Sequence, residues 1–270
     1  MEPLRVIAFG AHPDDCDLKA GGSAHRWARA GAKVKFVSVT NGNAGHHDMS
    51  GPDLAERRRK EAEAAGRVAG IEYEVLDNDD GALLPTLEVR EQVIRLIRSF
   101  RADLVLTHRP NDYHPDHRYT SQVVQDAAYL VTVPNVCPDV PALRKNPVFA
   151  YFSDRFQKPQ PFTPDIVVDI TDVFDVKVRM IHAHESQFYE WLAWHRGALH
   201  EVPAGERERL AWLTRLMEQR FAPETERFRS AIAARYGAER AASVRFIEAF
   251  ELCEYGSRPS DEELNRLFPF

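Results

Sequence analysis

Four times in the first 130 residues a short apolar run is followed by a turn and then a longer amphipathic segment. "LRVIAF" (4–9), "KVKFVSVT" (33–40), "IEYEVL" (71–76) and "DLVLTH" (103–108) are rich in β-branched and apolar residues and read as strands. The segments that follow them, at 18–31, 53–70, 86–100 and 117–131, carry apolar residues at helical spacing. The first helix places Leu18, Trp27 and Ala28 inward and stops at Gly31. The second is capped by Asp53 and closed by Gly70, and the third turns Leu87, Val93, Ile94 and Ile97 inward. Such alternation leaves little choice. It predicts right-handed crossovers and a Rossmann-like α/β fold, a mainly parallel sheet with helices on both faces.

Beyond residue 131 the pattern loosens. Proline-rich loops surround a short strand, "VFAYF" (148–152), and a second strand follows at 165–170. A helix is expected over 171–188, a mostly helical charged stretch over 189–228 and a late strand over 245–255. No repeat or low-complexity linker divides the chain. The expectation is one domain over 1–270: an α/β core (1–187), a helical C-terminal elaboration (188–242), then a late strand and tail (243–270).

The totals exclude several functions. A formal charge of −6 argues against a nucleic-acid partner, which needs a basic face. No apolar run approaches the roughly 20 residues of a membrane helix, and no signal peptide is visible, so a cytoplasmic protein with no membrane partner is expected. The three cysteines, Cys16, Cys137 and Cys253, are far apart and form no CxxC pair. No GxGxxG follows the first strand, and neither a P-loop nor a GxSxG elbow is present.

In open α/β sheets ligands bind beyond the carboxyl ends of the strands, where strand order reverses. In the order 3-2-1-4-5 the segments meeting there are "GAHPDDC" after strand one and "HRPNDYHPDH" after strand four. These hold the densest His/Asp clusters in the chain. Imidazole and carboxylate in two converging loops suit a divalent ion, zinc above all, with Fe2+ as a competitor. His12 and Asp15 supply two donors from one turn, and one histidine of "HPDH" supplies a third. Asp14 and the remaining histidine are then free for proton transfer and oxyanion stabilisation.

"AHPDD" after strand one, "HPDH" after strand four, "DIT" before a helix, "HESQ" on that helix and the late "EAFEL" together resemble the PIG-L/LmbE-like zinc-dependent N-deacetylases. The resemblance implies His12, Asp15 and His117 as metal ligands, Asp14 as general base, and His114 as general acid or oxyanion stabiliser oriented by Asp116. It implies Asp112 in the pocket wall, Arg58 on substrate with Glu61 three residues on, and His184 near the site. It also implies a small-molecule substrate and a homo-oligomer, a trimer or hexamer. Two positions depart from the family pattern: Cys16 stands where Glu is usual, and Asn43 where an acidic residue is frequent. His46, His47 and Asp48 add an uncommon cluster, so His46 and His47 are candidate substrate contacts, and "FYEWLAWH" (188–195) a candidate stacking surface.

The leading expectation is therefore a zinc-dependent hydrolase removing an N-acetyl group from an amino-sugar derivative. An amidase acting on a non-sugar amide or carbamate, and a binding protein that keeps the metal without catalysis, are the competing readings.

Overall fold

The computed structural model describes residues 2–270. Its centre is one seven-stranded sheet. Strands β1 (Arg5–Gly10), β2 (Lys33–Ser38), β3 (Glu72–Val75), β4 (Leu104–Thr107), β5 (Val148–Phe152), β6 (Ile166–Asp169) and β7 (Ile247–Gly256) lie in the order β3-β2-β1-β4-β5-β7-β6. The first five pair in parallel, and β7 runs antiparallel between β5 and β6. The last strand in sequence thus reaches an interior position that its local pattern does not reveal.

Alternation along each strand builds two apolar layers. Val6 and Ala8 of β1 join Phe36, Leu104, Leu106 and Ala150 on one face, covered by α1 (Asp15–Arg29), α2 (Gly51–Ala69) and α5 (Phe174–His182). Ile7 and Phe9 join Val37, Val105 and Phe149 on the other, covered by α3 (Leu87–Phe100) and α4 (Pro115–Leu130). The helices after β1 and β4 therefore lie on opposite faces. That reversal opens the crevice at the carboxyl ends of these two strands, which pair directly as Phe9 opposite Thr107.

Local rules explain most boundaries. Gly70 ends α2 in the left-handed conformation, as a C-terminal glycine does. Three details differ from the sequence reading. Helix α2 begins at Gly51 rather than at Asp53, because Pro52 is preset for a first helical turn. Leu87 is 54% exposed, since it sits at the first position of α3, before the helix reaches the sheet. The helix expected over 171–188 stops at His182, and the chain continues as a wider π-helical turn, Ser186–Trp191. The irregular loop after α4 is held by Arg98, whose guanidinium donates to the carbonyls of Leu130, Val131, Val133, Val136, Cys137 and Val140.

Of the remaining helices, α6 (Leu192–His195), α7 (Glu206–Arg227), α8 (Arg229–Tyr236), α9 (Ala238–Ser243) and α10 (Asp261–Leu267), α8 and α9 pack Ile232 and Ala241 against Val167, Ile247 and Ala249 in a third, smaller apolar cluster. Leu213, Met217 and Phe221 of α7 and Leu267 of α10 belong to the apolar layer of β1 and α1. No helix among the described residues is long and apolar enough to cross a membrane.

One polar contact ties these layers together inside the apolar face. Lys177 of α5 donates to Glu248 of β7 at 2.5 Å and to the Leu18 carbonyl at 2.8 Å, with both side chains fully buried. Glu248 also accepts the Gly22 and Ser23 amides of α1 at 2.9 and 2.7 Å. Removing one partner leaves the other as an uncompensated buried charge. Lys177→Met is therefore expected to destabilise the protein by about 3–5 kcal/mol, and Lys177→Met/Glu248→Leu by less. Urea unfolding of both variants checks the ordering; equal or greater loss in the double variant would remove the uncompensated-charge explanation.

Candidate active site

The β1 strand ends at Gly10, and the chain turns at once into α1. A side chain at position 10 would bring its Cβ within 2.8 Å of the Asp15 Cβ, so glycine permits the carboxylate to fold back over the strand end. Asp15 Oδ2 then accepts the His12 amide at 2.8 Å. The same oxygen lies 3.3 Å from His12 Nδ1 and 3.3 Å from His117 Nε2, and the two ring nitrogens are 3.2 Å apart. Pro115 opens α4 with a favoured first helical residue and His114 caps it, which sets His117 within the first turn, facing β1.

This near-equilateral triangle can be tested as a metal cradle. Ligand atoms on a tetrahedral zinc ion with bonds of about 2.0–2.1 Å are about 3.3–3.4 Å apart, so the three donors match it in type and spacing. The electrostatics agree. Burial pushes His12 down, but hydrogen bonds to Asp116, Asp15 and Asp80 outweigh it and hold the ring well above its usual value. Burial likewise lowers His117, yet Asp15 and Asp112 bring it up to about 9. The carboxylates thus attract positive charge to this point, whether protons on the rings or a metal ion in their place. Overlapping donor groups also include His114, Asp80, Asp116 and His108.

The rear nitrogens of both rings face carboxylates. His117 Nδ1 is 3.1 Å from Asp112 Oδ1, and His12 Nε2 is 3.2 Å from Asp80 Oδ1 and 3.5 Å from Asp116 Oδ2. Such partners fix the tautomer and orientation of a metal-binding imidazole. Two expectations change here. Asp112 lines the cavity, but its carboxylate works against His117. Asp116 does not orient His114 through its carboxylate, which accepts the Gly81 amide at 2.7 Å and faces His12; only its backbone amide donates to His114 Nδ1, at 3.2 Å. That bond leaves the proton of a neutral His114 on Nε2. Burial, then His12 and His117, lower the His114 pKa and favour this neutral form.

Asp14 and Arg58 form the other side of the site. Arg58 is 2% exposed and lies within 3.6 Å of Asp14 and 3.5 Å of Asp80, so it is not part of a solvated charge run. Burial raises the Asp14 pKa while Arg58 lowers it. Glu61 turns away from the cavity and accepts the Ser186 amide and hydroxyl at 2.9 and 2.6 Å. Gln187 donates to the Gly45 carbonyl at 3.0 Å, clamping the loop after β2 beside the site.

His184 does not line the cavity. It is fully buried, 3.2 Å from Asp17, which also accepts the Tyr73 hydroxyl. His46 and His47 are outside the cavity lining as well. His46 accepts the Asp48 and Met49 amides and faces Glu190, while His47 stacks between His46 and Trp194. Trp191 alone of the aromatics in 188–195, with His195 beside it, lines the cavity. The Cys16 thiol points into the core 3.6 Å from the Ala8 carbonyl, and burial raises its pKa, so it offers no thiolate.

Sequence reasoning missed His108 and Asp80. His108 directly follows β4, accepts the Ala11 amide at 3.1 Å and stacks on His117; burial, then His117, lower its pKa to about 4. Its signal was its position at the carboxyl end of β4. Asp80 lies in "DNDDG" (77–81), whose composition reads as an ordinary turn.

Fold and site together define an enzyme with its polar machinery at the switch point of a parallel sheet. The family model described as GlcNAc-PI de-N-acetylase, PIG-L, matches residues 7–128. The diacetylchitobiose deacetylase of Thermococcus kodakarensis is 32% identical over 203 residues, covering 70% of this chain and 73% of that protein. A 4-oxalmesaconate hydratase of Pseudomonas putida is 26% identical, covering 72% of this chain and 78% of its own length. Among solved structures, the N,N'-diacetylchitobiose deacetylase of Pyrococcus horikoshii superposes with a TM-score of 0.66 at 26% identity, over 92% of this chain and 83% of that one. The chain belongs to the PIG-L family. It is an enzyme of the hydrolytic N-deacetylase class.

The loop that carries Gly42 and Gly45 wraps Arg58. Gly42 has a φ of +73°, and a Cβ there would fall 2.6–2.8 Å from the guanidinium and Cδ of Arg58. Gly42→Ala is expected to cost about 1–3 kcal/mol. In an Arg58→Ala background only the backbone share, about 1 kcal/mol, is expected to remain. Thermal unfolding of the double-mutant cycle tests this, and strict additivity would rule out the steric contact.

Proposed function

We propose that this enzyme is a zinc-dependent hydrolase that removes the N-acetyl group of a small amino-sugar derivative. The observation that carries the proposal is the His12–Asp15–His117 triangle, with Asp14 left free of it and held beside Arg58. Zinc bound there supplies Lewis acidity, lowering the pKa of water and polarising an amide carbonyl. Fe2+ would be held by the same donors.

The chain's own groups supply the proton movements. Asp14 accepts the proton of the attacking water. Its burial favours taking that proton, and the Arg58 charge opposes its protonation beforehand. His114 donates from Nε2 to the oxygen that gains charge as the carbonyl is attacked. As the C–N bond breaks, the proton on Asp14 passes to the departing amine, and acetate and a free amine are the products. Asp112, Asp80 and Asp116 keep the two imidazoles oriented throughout.

A second reading follows from the likeness to the hydratase: the same groups could add water across a carbon–carbon double bond. Acetate release from N-acetylated sugars favours the first reading. Loss of the ultraviolet absorbance of a conjugated unsaturated acid, without acetate release from any amide, favours the second.

Two variants test the assignments. Asp14→Asn is expected to retain bound metal while kcat for acetate release falls about 10²–10⁴-fold. Full activity would remove Asp14 as base. Asp112→Asn is expected to weaken zinc about 10–100-fold, measured by competition with a chromophoric chelator. Unchanged affinity would mean that His117 is oriented by something else.

A further inference from the structure

The catalytic groups line a cavity of about 850 Å³, well beyond the space an acetamido group fills. Three cations converge on it from separate elements: Lys19 of α1, Arg155 after β5, and Arg220 of α7. Three other arginines close to the cavity are matched by carboxylates. Arg57 is held by Glu190, Arg58 lies between Asp14 and Asp80, and Arg109 binds Asp154. Lys19, Arg155 and Arg220 differ. Among the described residues none of them has a carboxylate oxygen within 4.0 Å. Lys19 donates only to the Ser153 carbonyl, at 2.7 Å, and Arg155 only to the Arg220 carbonyl, at 2.9 Å. The Arg220 guanidinium makes no hydrogen bond to the protein and is open to the cavity.

These charges oppose one another. Partial desolvation lowers the Arg220 pKa, and Arg155 lowers it further. Lys19 is lowered by burial and also feels the Arg220 charge, with Glu224 as its main counterweight. Glu224 lines the same cavity, and Asp154 is occupied by Arg109. Arg155 and Arg220 are exposed to the cavity and Lys19 is half-buried, so like charges gathered in this concave wall focus a positive potential that attracts an anion. Two guanidinium forks and an ammonium fit the oxygens of a phosphate or carboxylate. Asp14 and His114 line the same cavity as the three cations, so the cation cluster and the reacting bond face one bound molecule.

We propose that Lys19, Arg155 and Arg220 form an oxyanion-binding subsite, and that the substrate is an N-acylated amine bearing a phosphate or carboxylate on the portion that leaves as the amine. The identity of the cleaved bond rests on the deacetylase reading; the subsite does not.

The test compares kcat/KM for acetate release from N-acetylglucosamine, its 6-phosphate, its 1-phosphate and N-acetylmuramic acid. It uses zinc-loaded native enzyme, Arg155→Gln/Arg220→Gln and Arg220→Lys. At least one anionic compound is expected to exceed the neutral sugar tenfold or more. That ratio is expected to fall below threefold in the double variant and to survive in part in Arg220→Lys. The phosphate and carboxylate arms identify which oxyanion is taken. A native ratio near one, or a preference undiminished in the double variant, overturns the subsite. Acetate release from none of the compounds would instead sink the deacetylase reading. The subsite is then read by calorimetric titration with glucose 6-phosphate and glucose, which contain no amide. Tighter binding of the phosphate, weakened at least tenfold in the double variant, supports it; equal binding by both proteins overturns it.

Discussion

A single carboxylate oxygen, Asp15 Oδ2, organises the polar end of this molecule. It accepts the His12 amide and lies within 3.3 Å of nitrogens on His12, His108 and His117. The Asp15 carboxyl is held well below the usual carboxylate range. Burial opposes this, and the charges of His117 and His108 prevail. That arrangement requires β1 and β4 to be neighbours with their carboxyl ends level, and a glycine at position 10 so that the chain can double back. The two apolar layers therefore do more than stabilise the sheet. They fix the distance between two loops whose polar groups would otherwise stay in water.

Elements distant in sequence complete the cavity through a few polar clamps. Ser186 and Gln187 bind Glu61 and the Gly45 carbonyl, which positions the loop after β2 over Arg58. Lys177 and Glu248 lock α1, α5 and β7 together behind the site. Helix α7 shares the apolar layer of β1 and α1, and from that anchor it delivers Arg220 into the cavity. Substrate choice and chemistry are thereby divided. The switch point of the sheet holds the reacting groups, and the C-terminal helices shape and charge the rest of the wall.

Much of the α/β core was legible because strand and helix periodicities are local, and the turns between them carry glycine and proline where the backbone needs them. His12, Asp14 and Asp15 were legible because a dense His/Asp cluster after a buried strand has few other uses, whereas the choice of His117 over His114 came from the family resemblance. The partners behind them were not. The family resemblance placed Asp116 at His114, but a helical turn carries its carboxylate to Gly81 and His12. His184 was expected near substrate, yet its ring turns inward to Asp17 where α5 gives way to the π turn. Asp80 looked like a turn residue, and its role exists only because β3 ends next to β2 and brings that turn over His12.

By itself the sequence determined which residues could bind metal and move protons, and that they would sit at the carboxyl ends of β1 and β4. Hydrophobic alternation and residue chemistry are carried by each short segment on its own. Only the tertiary structure decided the insertion of β7 between β5 and β6, the pairing of each imidazole with its carboxylate, and the meeting of Lys19, Arg155 and Arg220 in one wall. Those bring together residues as much as 201 positions apart in sequence, and no local pattern encodes which distant partner a side chain will find.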